Sequence, residues 1–267
     1  MIIDAHVHLV GNGSSGSGCW YRPHGLTRLA QPFMLRDFGL PASALRGDLD
    51  RVYAARLLGY VRNSSLDAVV LFAQDEVYAD DGVKLAGRGT FHVPNDCVLR
   101  LAAEHREFLP AVSIHPARPD ALDELDRCLA AGAVALKLLP NCHNVDCALP
   151  RYRKFWARLA EARLPLIAHT GGEGSVEEIR PELADPRNLR APLEAGVTVI
   201  AAHCGTAGHP FDRDYFEIFA AMLREFPNLH GDTGALSLPT RCHRLRDCLR
   251  PDIVGRIVHG SDVPVPV

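Results

Sequence analysis

Residues 196–203 read Gly196-Val197-Thr198-Val199-Ile200-Ala201-Ala202-His203. A glycine stops the helix-like stretch Arg187–Ala195, an apolar β-branched run follows, and a histidine closes it. The glycine stands where a helix C′ residue takes positive φ, and the run has the composition of a strand buried on both faces. The same unit recurs along the chain. Apolar runs at Ile2–His8, Asp67–Ala73, Leu109–Ile114, Ala133–Leu138, Leu166–His169, Leu229–Asp232 and Arg256–His259 join Val197–Ala202 to make eight. Helix-like stretches such as Ala121–Ala131, stopped by Gly132, lie between them. Eight alternating units in 267 residues predict either a closed parallel barrel or a doubly wound sheet.

The polar residues decide between the two. His6, His8, Gln74, His115, Lys137, His169, His203, Asp232 and Asp262 fall where strands end and loops begin. A barrel gathers its chemistry on that one rim, whereas a doubly wound sheet concentrates it at a single switch point. The predicted fold is therefore α/β, a TIM-type (β/α)8 barrel spanning 1–267 as one domain. Two departures accompany it. Gly11–Gly18 is a flexible Gly/Ser segment that opens a long loop excursion over 11–47, a candidate lid, before a helix at about Asp48–Val61. The sequence stops at Val267, too soon after Asp262 for a helix to follow the last strand, and its apolar tail Val263–Val267 predicts that the natural chain runs on.

Composition narrows the function classes. At 47% hydrophobic and 23% charged residues the chain is globular in type. Lys+Arg 29 against Asp+Glu 32, with no basic block, disfavours a nucleic-acid partner. No apolar run reaches the roughly 18 residues of a membrane span and no secretion signal opens the chain, so a cytoplasmic enzyme is expected. None of the eight cysteines forms a Cys-x-x-Cys pair, and in that compartment they read as reduced thiols.

On the first strand, Asp4-Ala5-His6-Val7-His8 places His6 and His8 on one side, about 7 Å apart along the strand. Alone, such a pair could equally be two buried histidines bonded to backbone. His169 and His203 at equivalent strand ends, and Asp262 beside the first strand in a closed barrel, turn the pair into a converging set. Imidazoles with a carboxylate suit zinc, with manganese, iron, cobalt and nickel as alternatives. A divalent ion there acidifies water and polarises a carbonyl, and the carboxylate accepts the proton. No Gly-x-Ser-x-Gly nucleophile elbow competes.

These residues resemble the amidohydrolase superfamily of metal-dependent barrels, in its amidohydrolase 2 branch. The resemblance spans nearly the whole chain through Ile3–His8, Ala135–Pro140, Ala168–Thr170, Ala202–Gly205, Gly231–Gly234 and Gly260–Pro264. It implies His6, His8, His169 and Asp262 as ligands of one catalytic metal, most simply zinc, and Asp262 as proton shuttle. His203 is implied as a second-metal ligand or a donor to the substrate oxyanion. Lys137 is either a carboxylated bridge to a second metal, shared with His169 and His203, or a substrate-binding lysine on the rim. A homodimer is expected from the same resemblance.

Weaker candidates are His115 and Glu173 for substrate contact and Asp232 as a carboxylate orienting a ligating histidine. Cys142–Cys147 fits no familiar zinc spacing, and Cys204 reads as buried filler. The implied activity is hydrolysis of a C–N or C–O acyl bond of a small molecule, such as a lactone or cyclic amide. The alternative is non-oxidative decarboxylation of an aromatic or unsaturated acid. Two further readings are a barrel that binds without catalysis and a phosphate-ester enzyme using Arg22, Arg151 and Arg153.

Overall fold

The computed structural model describes residues 1–23, 27–209 and 211–265. Residues 24–26 of the predicted excursion and the end of the apolar tail, Pro266 and Val267, lie outside them.

Eight parallel strands run in sequence order around one sheet. They are β1 (Ile3–His8), β2 (Ala68–Phe72), β3 (Phe108–Val112), β4 (Ala135–Leu138), β5 (Leu166–His169), β6 (Val199–Ala202), β7 (Leu229–Asp232) and β8 (Ile257–Val258). Each predicted run coincides with one of these strands to within two residues at either end, β3 starting one residue earlier than its run, at Phe108. Their apolar character follows from burial on both faces: every residue of β2, β4 and β5 is buried. Beyond β8 the chain closes the barrel onto β1. Ala5 N–H donates to His259 O at 2.9 Å, Asp262 N–H to His6 O at 2.8 Å and His8 N–H to Val263 O at 2.8 Å. The Asp4 carboxylate fastens the same seam by accepting from the backbone of His6 and Ser261, each at 3.0 Å.

Helices pack outside. Leu49–Arg62, Asn95–Glu104, Ala121–Ala130, Arg153–Ala162, Arg190–Glu194 and Phe216–Glu225 follow β1 to β6 in turn. Their apolar faces and the outer faces of the strands form two clusters, one around Leu125, Trp156, Leu159 and Phe219, the other around Leu49, Tyr53, Leu57 and Val69. A smaller inner cluster, with Val70, Phe72, Ala111, Ala135, Ile167 and Ala202, fills the barrel below the rim.

The excursion over 11–47 is more ordered than a loop. It contains a helix at Thr27–Asp37, a 3₁₀ turn at Ala42–Arg46, and Trp20–Tyr21 paired antiparallel with Phe91–His92. Pro32 inside the helix hides it from a propensity reading, because proline removes an interior hydrogen bond. The Gly/Ser segment is also not free: Asp50, on the helix Leu49–Arg62, accepts from Asn12 N, Gly13 N, Ser15 N and the hydroxyls of Ser15 and Ser17. Among the described residues no helix is long and apolar enough to cross a membrane.

Candidate active site

His6 and His8 reach the barrel axis through an irregularity in β1. Between Asp4 and Val7 that strand advances one residue more than β2 does between their partners Val69 and Leu71. Ile3 and Ala5 pack on the inner cluster, so strict alternation would turn His6 and His8 outward. The extra residue resets the alternation, sending Val7 to the outer cluster and both imidazoles to the axis. Their rings lie 4.8 and 5.2 Å from the Phe72 ring of the inner cluster.

His6 Nε2, His8 Nε2 and Asp262 Oδ1 form a triangle with sides of 3.3, 3.0 and 3.2 Å. Ligand atoms bound at about 2.0–2.1 Å in a tetrahedron lie roughly 3.3 Å apart, so the triangle fits one face of a zinc-like site. Behind it, Asp232 Oδ2 lies 2.8 Å from His6 Nδ1, which leaves the His6 Nε2 lone pair facing the triangle. The other Asp232 oxygen accepts from His203 N and Gly234 N at 2.9 Å each. Asp262 and His203 hold φ of 68° and 63°, a left-handed backbone uncommon outside glycine that Asp and His adopt more readily than most residues.

Electrostatics follow from burial and pairing. Burial and Lys137 oppose a charge on His6, but Asp232 and Asp262 outweigh them and leave its pKa raised. Burial works against the charge of Asp262 too, yet His6, His203 and His8 hold its carboxyl well below the ordinary range. Asp232 is ionised for the same reason, through His6 and His203. Burial lowers Lys137 to about 8 against the pull of both carboxylates. Its Nζ sits 3.1 Å from His6 Nε2 and 4.5 Å above the Phe72 ring.

His203 Nδ1–H donates to the Gly234 carbonyl at 2.8 Å, and burial keeps the ring neutral, well below its usual value. A carbonyl only accepts, so Nε2 carries the lone pair. That tautomer suits a ligand or a base and does not suit a donor to an oxyanion. His169 stands beside it, ring centroids 4.9 Å apart, with Nε2 3.3 Å from Gly171 O and Nδ1 3.6 Å from Glu173 Oε2. It belongs to neither group of three close ligand atoms among the described residues, His6–His8–Asp262 and His6–His203–Asp232.

A cavity of about 340 Å³ opens over the triangle, with His8, Lys137, His169, Glu173, His203 and Asp262 in its wall. Glu173 also folds its own loop, its Oε1 accepting from the backbone of Gly174, Ser175 and Val176. Met34, Leu35 and Leu45 of the excursion reach the same wall.

His115 is placed elsewhere. It is fully buried, with Nε2 2.7 Å from His143 O and Nδ1 accepting from Ala117 N, in a network that includes Gln74 and His143. Cys142 and His143 are buried in a short helix, Pro140–His143, and join no group of ligand atoms among the described residues. Arg22 and Arg151 lie over the rings of Trp20 and Tyr152, and neither they nor Arg153 line the cavity. Two cavity residues escape a sequence reading: Tyr53, whose hydroxyl donates to His8 O at 2.8 Å, and Arg241, on the loop after β7. Neither sits at the end of an apolar run, the only positional signal available.

Barrels with imidazoles and a carboxylate converging at the C-terminal strand ends form a class of metal-using enzymes. The family model described as amidohydrolase matches residues 3–267, and the chain belongs to that family, whose members are enzymes that generally use a divalent metal. No curated protein sequence matches the chain. Among solved structures it resembles an uncharacterised TIM-barrel protein from Bordetella bronchiseptica, with 16% identity, TM-score 0.66, and coverage of 98% of this chain and 86% of that one. It is similar to a probable 2-pyrone-4,6-dicarboxylic acid hydrolase from Acinetobacter baumannii, with 14% identity, TM-score 0.64, and 98% and 84% coverage. It also resembles 5-carboxyvanillate decarboxylase from Sphingomonas paucimobilis, with 13% identity, TM-score 0.58, and 99% and 89% coverage. At these identities the likeness concerns the fold. The neighbours include both hydrolases and decarboxylases.

Proposed function

We propose that the chain is a metal-dependent hydrolase that opens a C–O or C–N acyl bond in a small substrate such as a lactone or cyclic amide. The observation that carries this reading is the position of Asp262, an ionised, buried carboxylate on the cavity wall with one oxygen 3.0 Å from His6 Nε2 and 3.2 Å from His8 Nε2. His6, His8 and Asp262 would hold one divalent ion, most simply zinc, which supplies Lewis acidity toward water and the acyl oxygen. Asp262 takes the proton from the attacking water as its oxygen bonds to the acyl carbon, then returns that proton to the departing oxygen or nitrogen. His203 Nε2 is placed as a second acceptor. Asp232 holds the histidine orientations, and the apolar residues of the excursion keep water from the reacting bond.

A second reading, decarboxylation, draws support from the cavity's mixed lining. Lys137 and Arg241 share a wall with Phe91, Leu139 and Leu238, which suits an aromatic acid. Asp262, ionised at rest, would first take a proton from water and then deliver it to the carbon whose bond to the carboxylate breaks as carbon dioxide leaves. Incubation with lactones, cyclic amides and hydroxybenzoates, followed by acid release and by carbon dioxide release, tests both. Acid release abolished by Asp262→Asn supports hydrolysis. Carbon dioxide release with inert lactones and amides replaces it with the lyase, and no turnover of either class by metal-loaded protein refutes both.

A further inference from the structure

Arg241 is 5% exposed and lines the cavity, yet no carboxylate among the described residues touches it. Its Nη1 donates to Thr206 Oγ1 at 3.2 Å and its Nη2 to the Gly172 carbonyl, while its buried Nε has no partner. Among the described residues it makes no ion pair. Glu173, Asp262, Asp212 and Asp232 act on it only through space, and burial, the larger influence, pulls its pKa below the ordinary value. Two neutral hydrogen bonds do not compensate a buried guanidinium, and such a charge is strongly unfavourable unless an anion arrives to meet it.

The cavity's other cation is differently placed. Lys137 is turned to the His6–His8–Asp262 triangle, its Nζ 3.1 Å from His6 Nε2 and 4.5 Å above the Phe72 ring. Arg241 and Lys137 are the only Lys or Arg side chains among the described lining residues. Much of the remaining wall is apolar, including Val10, Leu35, Leu45, Phe91, Leu139 and Leu238. The space of about 340 Å³ is at the small end of ligand cavities.

We infer that Arg241 anchors one carboxylate of the substrate, and that the substrate is a small monoanionic acid with an apolar body, not a polycarboxylate. This deepens the proposed function and rests on its placing the substrate in this cavity. The guanidinium fork supplies the planar, charge-assisted contact that a carboxylate takes best. Away from the His6–His8–Asp262 triangle and Lys137 beside it, a second carboxylate would lie against a largely apolar wall with no further Lys or Arg among the described lining residues to receive it.

Binding, read by ligand-observed NMR, tests the assignment without turnover. The probes are benzoate, its neutral isostere benzamide and the dianion isophthalate, each with the protein as purified and after chelator treatment. Benzoate is expected to bind about tenfold or more tightly than either of the others, in both preparations. Arg241→Gln is expected to abolish that preference while leaving benzamide unchanged, and Arg241→Lys to keep part of it. If Arg241→Gln fails to fold, Arg241→Lys carries the test, and an undiminished preference in it overturns the assignment. The inference also fails if wild-type protein shows no preference for benzoate, or if the preference survives Arg241→Gln. A preference that persists in Arg241→Gln and vanishes with chelator belongs to the metal. Isophthalate bound as tightly as benzoate refutes the monoanion. Failure of the hydrolase reading appears separately, as absent turnover in protein that retains the benzoate preference.

Discussion

Asp232 Oδ2 lies 2.8 Å from His6 Nδ1 with both side chains fully buried. The carboxylate accepts the hydrogen bond from Nδ1–H and leaves the Nε2 lone pair free to bind, the arrangement that fixes a metal-ligating imidazole in one tautomer. Because Asp232 Oδ1 also receives His203 N and Gly234 N, one side chain at the end of β7 sets the geometry of β1 and of the β6 loop together.

Asp232→Asn therefore strikes the metal through His6. Asparagine can keep one oxygen toward the two backbone N–H groups, but its NH2 then faces His6 Nδ1 and drives the ring proton to Nε2. The expected result is a folded protein whose affinity for a divalent ion falls about 10–100-fold, measured by competition with a chromogenic chelator. Unaltered affinity would show that the ion, if any, does not depend on His6.

The His6–His8–Asp262 triangle predicts one divalent ion per chain. Elemental mass spectrometry of protein purified without chelator or metal resin should give about one equivalent, lost in His8→Ala and Asp262→Asn. Lys137→Met is expected to leave that count at one, because Lys137 is engaged at His6. Two equivalents in wild type, falling to one in Lys137→Met, would instead assign Lys137 as a carboxylated bridge.

Gly234 tests how closely the site is packed. A Cβ there would lie 3.0 Å from Asp232 Oδ1, 3.0 Å from His6 Nδ1 and 3.2 Å from His203 Nδ1. Gly234→Ala thus presses on three site residues at once, while its backbone does not need positive φ. Metal affinity should drop several-fold with a melting temperature shifted by only a few degrees, a pattern opposite to that of a core substitution. Retained affinity would mean the three side chains relax freely.

Much of this was legible in the sequence, for a physical reason. Parallel strands buried on both faces must be apolar throughout, so a polar residue at the end of such a run, as at His169, His203 or Asp232, stands out. The pattern reports position, not orientation. It could not reveal that an extra residue in β1 turns His6 and His8 inward, nor that His115 bonds to backbone and stays out of the cavity. Arg241 sits in a loop without periodicity, and its significance lies in the absence of a partner, which only three-dimensional neighbours reveal. The anchor of Gly11–Gly18 is equally non-local, since Asp50 lies on the helix beyond the excursion. Composition marks the segment as flexible and says nothing of the carboxylate that holds it.

Asp50 makes that anchor sensitive to acid. Burial raises its pKa, but hydrogen bonds from Ser17, Ser15 and Asn12 outweigh burial and hold it below the ordinary carboxylate value. A carboxyl with a depressed folded pKa contributes stability that is fully present above its unfolded value, about 3.9, and is lost as the pH falls through the folded one. Hydrogen exchange at Asn12, Gly13 and Ser15, corrected for intrinsic rates, should show steady protection above about pH 4 and a decline below it. In Asp50→Asn the protection at neutral pH should be lower and the acid step absent, because the charge that gathers five donors is gone. Full protection in that variant would mean the segment is held by its own turns.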